Sequence, residues 1–216
     1  MRRSRRTFLS AAGAATAFGL AGCLGGSDSE VPEYDCDADQ PEETVSELPR
    51  PALGDPDAGI VVASFEDFAC PHCARWKTEE FPTIKEDYVD EGIVRYQHWD
   101  LPIPVDETWS YGVANAARGV QDRQGAEAFF EFAQVAFEHH EEYSWDVVGY
   151  AAEEAGGDPC VAIADGEYGT YDAVLQSDRN AGVERGVEAT PTVFVDGEAV
   201  SEPTASAVSD AIDAAR

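Results

Sequence analysis

Residues 65–76 read FEDFACPHCARW, and this stretch carries a Cys-x-x-Cys pair, Cys70 and Cys73. The apolar, β-branched residues 60–63 lead into it and predict a buried strand. The polar, helix-forming residues 77–80 lead out of it. The two cysteines therefore lie where a strand turns into a helix, and Pro71 between them suits the first helical turn.

A thiolate at the start of a helix is stabilised, because the first N–H groups are unpaired and the helix dipole is positive there. The pKa of a cysteine in that position falls from about 8.5 to roughly 3.5–7.5. His72, between the two cysteines, can supply a cation or a hydrogen-bond donor. The pattern favours a redox-active pair.

Three other interpretations of the pair remain open. A structural disulfide across two residues would remove little chain entropy. A zinc site would need four ligands, and Cys70, Cys73 and His72 have no second paired motif to complete them. His72 alone could be an exposed turn residue.

Charge divides the chain into two unequal parts. Residues 1–22 hold four arginines and no acidic residue, whereas the remainder holds ten basic against 43 acidic residues, a net charge of −33. This balance argues against a nucleic-acid partner, since phosphate neutralisation needs clustered Lys and Arg. Carboxylates spread over the whole sequence are typical of a halophile, in which salt screens their repulsion. An acidic protein from an ordinary source is the alternative.

The N-terminus has the layout of an export signal. Residues 4–10 read SRRTFLS, and the small apolar run 11–21 is too short and too rich in Gly and Ala for a membrane span. The paired arginines resemble a twin-arginine (Tat) signal. Residues 20–23, LAGC, resemble a lipoprotein box in which Cys23 carries the lipid. We therefore expect a signal peptide over residues 1–22, with a retained amphiphilic tail as the alternative.

Residues 23–50 are rich in Gly, Ser, Asp, Glu and Pro. Such a segment buries too little apolar surface to offset its ordering entropy, so we expect an acidic flexible tether. Cys36 lies within it. With Cys23 assigned to lipid and Cys70 paired with Cys73, two of the five cysteines remain, Cys36 and Cys160, and an oxidising compartment would allow them to pair. These two residues either form a disulfide with each other or stay apart. In the second case Cys160 is a small buried apolar residue, and Cys36 is free or pairs with another molecule.

Strand and helix patterns alternate beyond the tether. Predicted strands cover residues 60–65, 93–99 and 192–195, the last followed by a hairpin turn at 196–197 into 198–200. Predicted helices cover residues 71–91 with a kink at Pro82, a stretch opening at 114–119, 126–139, 145–155, a short segment from 158, 167–185 and 205–215. The adjacent His139 and His140 end one of them and favour solvent exposure over a metal site. Strand–helix–strand predicts a right-handed βαβ unit, and the helix, hairpin and helix that follow at the C-terminus predict a mixed sheet with helices on both faces.

Cys70-Pro71-His72-Cys73 in a βαβ unit, a helical insertion, and Thr190-Pro191 before a hairpin and a helix resemble the thioredoxin fold. More closely, they resemble the DsbA-like family of exported thiol–disulfide oxidoreductases. The resemblance covers about residues 50–216. It implies an α/β thioredoxin-fold domain at 51–107 and 183–216 and an inserted helical domain at 108–182.

The resemblance also implies roles for the site residues. Cys70 would be the exposed nucleophile, Cys73 the buried resolving thiol, and His72 the group that stabilises the Cys70 thiolate. A cis Pro191 would face the two cysteines and leave the backbone of Thr190 free to pair with a substrate strand.

The sequence departs from the family in places. Ala189 stands where a glycine is usual, and Ser64 stands six residues before Cys70, where many relatives carry a buried acid. Glu66 and Asp67 are near in sequence, but out of that register. Thr190 before the proline is shared by oxidising, reducing and isomerising relatives, so the direction of electron flow stays open.

Taken together, the resemblance implies a lipid-anchored enzyme on the extracytoplasmic face of the membrane. It would exchange disulfides with exported proteins, be recycled by a membrane redox partner, and need no cofactor beyond the Cys70–Cys73 pair. Disulfide formation is the expected direction. A reductase or isomerase, or a non-catalytic binding lipoprotein, is the alternative.

Overall fold

The computed structural model of the protein describes residues 31–37, 40–103 and 105–216. The predicted signal peptide and Cys23 lie outside these residues. Within them, a single sheet contains β1 (Ala52–Leu53), β2 (Ile60–Glu66), β3 (Val94–Asp100), β4 (Thr192–Val195) and β5 (Glu198–Ala199). No helix in this described part is both long and apolar enough to cross a membrane.

The sheet is mixed, as predicted. Its strand order is β1-β3-β2-β4-β5. β2 and β3 pair in parallel from Ile60 opposite Val94 to Glu66 opposite Asp100, and the other neighbouring strands pair antiparallel. β1 was not predicted, because two residues are too short to show an alternating pattern.

The helical segment after β2 changes its hydrogen-bond period twice. It consists of α1 (Pro71–Arg75), a π-helical turn (Trp76–Glu80), α2 (Phe81–Ile84) and a second π-helical turn (Lys85–Val89). Pro82 has no N–H to donate, and the neighbouring Phe81 N–H donates to the Trp76 carbonyl five residues back. Widened turns thus accompany the proline at which the sequence predicted a kink.

Six further helices follow: α3 (Glu107–Gln124), α4 (Ala126–Glu138), α5 (Trp145–Glu154), α6 (Pro159–Tyr168), α7 (Asp172–Glu184) and α8 (Ala205–Ala215). A single 3-10 turn, His140–Glu142, follows α4. The side chains of Ser144, Asp158 and Thr204 cap α5, α6 and α8 as their residue types favour.

Two helix boundaries differ from the prediction. α3 begins well before residue 114, where the Asp106 side chain accepts the N–H groups of Thr108 and Trp109. The predicted helix 167–185 is wrong at its start, because Gly169 adopts a left-handed conformation with φ of 66° and ends α6 there. α7 therefore begins only at Asp172.

The sheet has an apolar cluster on each face. One cluster joins the sheet to α1, α2, the inserted helices and α8, and it contains Cys70 and Cys73. The other contains Phe65, Trp99 and Leu101 and packs against Ala181 of α7. The redox pair is thus set in the larger core, at its boundary with the helical insert.

The segment before the sheet is held against the helical insert, in contrast to the flexible tether that the sequence predicted. Cys36 and Cys160 form a disulfide with a Cα–Cα distance of 5.3 Å. The Tyr34 N–H donates to the Asp146 carboxylate, and the Val45 N–H donates to the Thr170 carbonyl. These contacts across residues 31–37 and 40–50 offset the ordering entropy on which the prediction rested.

Candidate active site

Cys70 is the N-cap of α1. Its backbone is extended, with φ of −87° and ψ of 119°, and Pro71 occupies the first helical position. Cys70 and Cys73 are both free thiols. The strand β2 therefore delivers Cys70 directly to the helix N-terminus, where unpaired N–H groups favour a thiolate.

Cys70 is less accessible than the sequence implied. The residue is 4% exposed, and Cys73 is fully buried. When protonated, the Cys70 thiol donates a hydrogen bond to the Thr190 carbonyl, 3.4 Å from Sγ. The loop before β4 thus covers the sulfur that was expected to be exposed.

The peptide bond between Thr190 and Pro191 is cis. β4 runs antiparallel to β2, with Thr192 opposite Phe65. This register brings the Thr190–Pro191 bond beside the end of β2, next to the loop that carries Cys70. The sheet pairing is thus the reason that two segments 120 residues apart meet at the redox pair.

The two thiols differ in acidity. A hydrogen bond from the Cys73 thiol outweighs the opposing effect of burial, and the backbone N–H groups of Cys73 and His72 assist, so that the pKa of Cys70 is lowered to about 5. Burial, together with the Cys70 partner and the charge of Glu66, raises the pKa of Cys73 well above its usual value. At neutral pH one thiol is a thiolate and the other holds its proton.

His72 lies at the exposed rim of the site. Its backbone N–H contributes to the low pKa of Cys70. A role for its ring, which the family resemblance implied, stays a prediction.

Glu66 occupies a position that the sequence analysis misjudged. Side chains alternate along a strand, so Glu66 lies on the same face of β2 as Ser64, two residues nearer to the cysteines. Its side chain is fully buried. Although Glu66 is out of register with the acid of many relatives, its charge acts on Cys73. A search for an acid anywhere on this face of β2, instead of six residues before Cys70, would have identified Glu66.

Buried partners keep Glu66 ionised. Tyr96 donates its hydroxyl to Glu66 Oε1 at 2.7 Å, and Lys77 donates from Nζ at 3.2 Å. Burial alone would raise the pKa of Glu66, but Lys77 and His98 hold it well below its usual range. Glu66 therefore supplies a fixed negative charge near Cys73.

A row of paired charges continues from Glu66 through the protein. His98 lies between Glu66 and Asp100, at 3.6 and 3.1 Å. Arg118 then joins Asp100 to Asp178 with two contacts of 2.6 Å. The row ends at the partly exposed Arg50, 3.1 Å from Asp178. Each buried charge thus has a partner of opposite sign, which its desolvation demands.

Asp67 is the second buried acid beside the pair. Its Oδ1 accepts the Ala69 N–H at 2.8 Å, and its Oδ2 accepts the Ser110 hydroxyl at 3.0 Å. Its own N–H donates to Cys73 Sγ at 3.4 Å. Burial raises the pKa of Asp67 to about 7, against the effect of these hydrogen bonds. Asp67 is therefore a group that titrates near neutrality next to the thiols.

Comparison with known proteins bears on this geometry. Residues 46–214, which are most of the chain, match the protein-family model described as Thioredoxin. The chain belongs to the thioredoxin family. The family match agrees with the predicted α/β thioredoxin fold, and the helical insert is consistent with it.

The chain is similar to disulfide bond formation proteins in sequence and to DsbA-type proteins in fold. Disulfide bond formation protein D of Bacillus subtilis is 24% identical over 157 residues, which span 70% of this chain and 69% of that protein. Oxidised BdbD of Bacillus subtilis has a TM-score of 0.70 at 22% identity and covers 80% of this chain and 97% of its own. DsbA of Chlamydia trachomatis has a TM-score of 0.67 at 22% identity, with coverages of 82% and 97%. This member of the thioredoxin family is a thiol–disulfide oxidoreductase whose fold is similar to that of DsbA-type proteins.

Proposed function

We propose that this thioredoxin-family protein is an oxidase that forms disulfides in exported proteins. The observation that carries the proposal is the contrast between a Cys70 with a pKa of about 5 and a Cys73 whose pKa is raised. A stabilised Cys70 thiolate favours the dithiol form of the enzyme, and so makes its disulfide a good oxidant. The name of the Bacillus subtilis relative, Disulfide bond formation protein D, is consistent with this direction.

The proposed reaction is two successive thiol–disulfide exchanges. A substrate thiolate attacks Cys70 Sγ of the oxidised enzyme, and Cys73 leaves and takes up a proton. A second substrate thiolate then attacks the substrate sulfur of the mixed disulfide and releases the Cys70 thiolate. The substrate loses two electrons, which remain on the enzyme as the dithiol. A membrane redox partner would remove them again, and no cofactor beyond the pair is required.

The pKa values fit each leaving group to its step. The Cys70 thiolate is a stable leaving group in the second exchange, because its charge is favoured at the N-terminus of α1. Cys73 is reprotonated after the first exchange, because its high pKa makes it basic beside the ionised Glu66. Cys73 therefore does not compete readily with the substrate for the mixed disulfide.

We further propose that the protein works on the extracytoplasmic face of the membrane, exported by its twin-arginine signal and anchored by lipid at Cys23. The disulfide between Cys36 and Cys160 supports an oxidising compartment. Replacement of Cys23 by Ser should release a soluble protein or block processing. Unchanged membrane retention, or mass spectrometry that finds residues 1–22 still attached, would contradict the anchor.

The decisive measurement for direction is the reduction potential of the Cys70–Cys73 pair in molar salt. An oxidase should have a potential above about −180 mV, towards the −120 mV typical of DsbA. A value near the −270 mV of thioredoxin would instead indicate a reductase. The same preparation should oxidise a reduced, unfolded substrate, whereas Cys70→Ser should not. An intact protein with no exchange activity would indicate a binding lipoprotein.

A further inference from the structure

The loop that carries Cys70 is tied to the helical insert at three consecutive residues. We call residues 67–69 the active-site loop. Ser110 of α3 donates its hydroxyl to the Asp67 carboxylate at 3.0 Å. The Tyr143 hydroxyl donates to the Phe68 carbonyl at 3.1 Å. The ring of His140 contacts the Ala69 carbonyl with Nε2 at 3.2 Å, and because a carbonyl only accepts, this nitrogen carries the hydrogen.

These bonds satisfy groups that have few alternatives. Phe68 is 1% exposed and Ala69 is 8% exposed. In the described part of the chain, neither carbonyl accepts a hydrogen bond from another backbone N–H. A buried carbonyl needs a partner, so His140 and Tyr143 supply what the backbone does not. The Phe68 ring also stacks on Phe137 of α4, with ring centroids 4.7 Å apart.

The active-site loop forms hydrogen bonds with both cysteines. The Asp67 N–H donates to Cys73 Sγ at 3.4 Å, and the Cys70 N–H donates to the Asp67 carbonyl at 3.0 Å. A shift of this loop therefore changes the hydrogen bond on Cys73 and the place of Cys70 at the start of α1 together. Burial and the nearby Asp67 and Cys73 raise the pKa of Tyr143, so its hydroxyl stays protonated.

We propose that His140 and Tyr143 are positioning residues through which the helical insert sets the reactivity of Cys70. They hold the carbonyls of the two residues before Cys70, and they come from the turn after α4, far from the Cys-x-x-Cys motif in sequence. The proposal rests on thiol exchange at Cys70 and not on the direction of that exchange. Neither residue touches the reacting sulfur atoms in this arrangement; both act through the loop.

Three variants and two matched controls test it. Tyr143→Phe removes one hydroxyl, His140→Leu removes the ring donor, and His140→Gln keeps an N–H donor without a ring. Tyr150→Phe and His139→Leu are the controls. They make the same chemical changes in a second Tyr–His pair, whose two rings contact each other. The readouts are the alkylation rate of Cys70 against pH and the equilibrium constant with glutathione, both in molar salt.

We expect Tyr143→Phe and His140→Leu each to slow alkylation at or below pH 5 by about threefold or more, because a Cys70 whose pKa rises above about 5 is less ionised there. The glutathione equilibrium should shift in the same variants towards the oxidised enzyme, and His140→Gln should behave as the parent. Changes smaller than threefold, or equal to those of the controls, would overturn the proposal. A loss of thermal stability with unchanged Cys70 reactivity would also overturn it, since that outcome means a purely structural role. If the parent enzyme proves to be a reductase, the proposed oxidase function is wrong. The comparison of the variants with their controls still tests the role of His140 and Tyr143.

Discussion

Lys77 and Glu66 form an ion pair of 3.2 Å with both side chains essentially removed from solvent. The Lys77 ammonium also lies 4.7 Å from the centre of the Phe81 ring and donates to the Tyr96 hydroxyl. The pair therefore brings a fixed charge to the vicinity of Cys73 without leaving that charge uncompensated. This arrangement makes the stability of the core and the acidity of the resolving thiol depend on the same two residues.

Lys77→Met should lower the free energy of unfolding by about 3–5 kcal/mol, because it leaves Glu66 buried and unpaired. The double variant Lys77→Met with Glu66→Gln should recover a large part of that loss, since it removes the isolated charge. Denaturant unfolding of the four proteins in the cycle measures this coupling. Additive effects of the two substitutions would contradict it.

Glu66→Gln alone should lower the pKa of Cys73, because it removes a negative charge that raises it. Titration of Cys73 by thiolate absorbance in a Cys70→Ser background measures the effect. Glu79→Gln serves as a charge-matched control, because Glu79 is an exposed residue of the helical segment that follows β2. A Cys73 titration equal in Glu66→Gln and the control would contradict the assigned role of Glu66.

Asp67 predicts a specific pH dependence of stability. The folded protein keeps its carboxyl proton up to a pKa of about 7, whereas the unfolded chain loses it near 3.8. Between these values the folded state binds more protons, so this group's contribution to stability falls as pH rises and levels off above pH 7. Asp67→Asn should remove the effect. Its stability relative to the parent should improve by roughly 4 kcal/mol from pH 4 to pH 8, because each pKa unit between the unfolded and folded values corresponds to about 1.4 kcal/mol.

The comparison for Asp67 needs a second aspartate variant at constant salt, and the exposed Asp87→Asn provides it. A parallel alkylation series should show a second inflection near pH 7 in the parent that Asp67→Asn lacks, because the Asp67 and Cys70 charges repel each other. If both variants follow the parent across the pH range, Asp67 does not titrate where the structure places its pKa.

The bridge between Cys36 and Cys160 spans 124 residues of sequence. In the chain-entropy model, a loop of that length corresponds to about 4–5 kcal/mol. Cys36→Ala with Cys160→Ala should therefore lower the free energy of unfolding by several kcal/mol and keep the Cys70 pKa of the parent. Chemical denaturation and Cys70 alkylation, measured on the same preparation, separate the two effects. An altered Cys70 pKa would show that the bridge shapes the active site.

Salt should stabilise the folded protein. A net charge of −33 beyond residue 22 repels itself unless it is screened, and the screening length falls to about 3 Å at 1 M salt. Unfolding midpoints should therefore rise with both NaCl and KCl. A flat response from low to molar salt would argue against the halophilic interpretation of the acidic sequence.

Features with a local cause were predictable from the sequence. β2 and β4 are apolar, β-branched runs, and the caps at Ser144, Asp158 and Thr204 each precede their helix. The Cys-x-x-Cys pair at a strand-to-helix junction needs only the chemistry of neighbouring residues. These parts of the fold and the site follow from patterns that span fewer than twenty residues.

Features that depend on distant partners were not predictable in this way. The start of α3 was missed because residues 107–113 include Thr108, Ser110 and Gly112, which are weaker helix formers, although Ser110 is buried against Asp67. Ser110, His140 and Tyr143 reach the active-site loop only because the insert packs on it. His140 was expected to be exposed at a helix end, since nothing in its local sequence indicates the Ala69 carbonyl as its partner.

The helical segment that α1 opens is interrupted by Pro82 and by two π-helical turns, so its first part is too short to form on its own, because isolated helices of less than about 12–15 residues are marginal in water. Its N-terminus exists only when the sheet and the insert hold it. An unfolded or half-synthesised chain therefore carries Cys70 as an ordinary thiol with a pKa of about 8.5, mostly protonated and slow to react at neutral pH. Folding therefore activates Cys70. Chains that have not finished folding react slowly through this sulfur and so form fewer disulfides with one another.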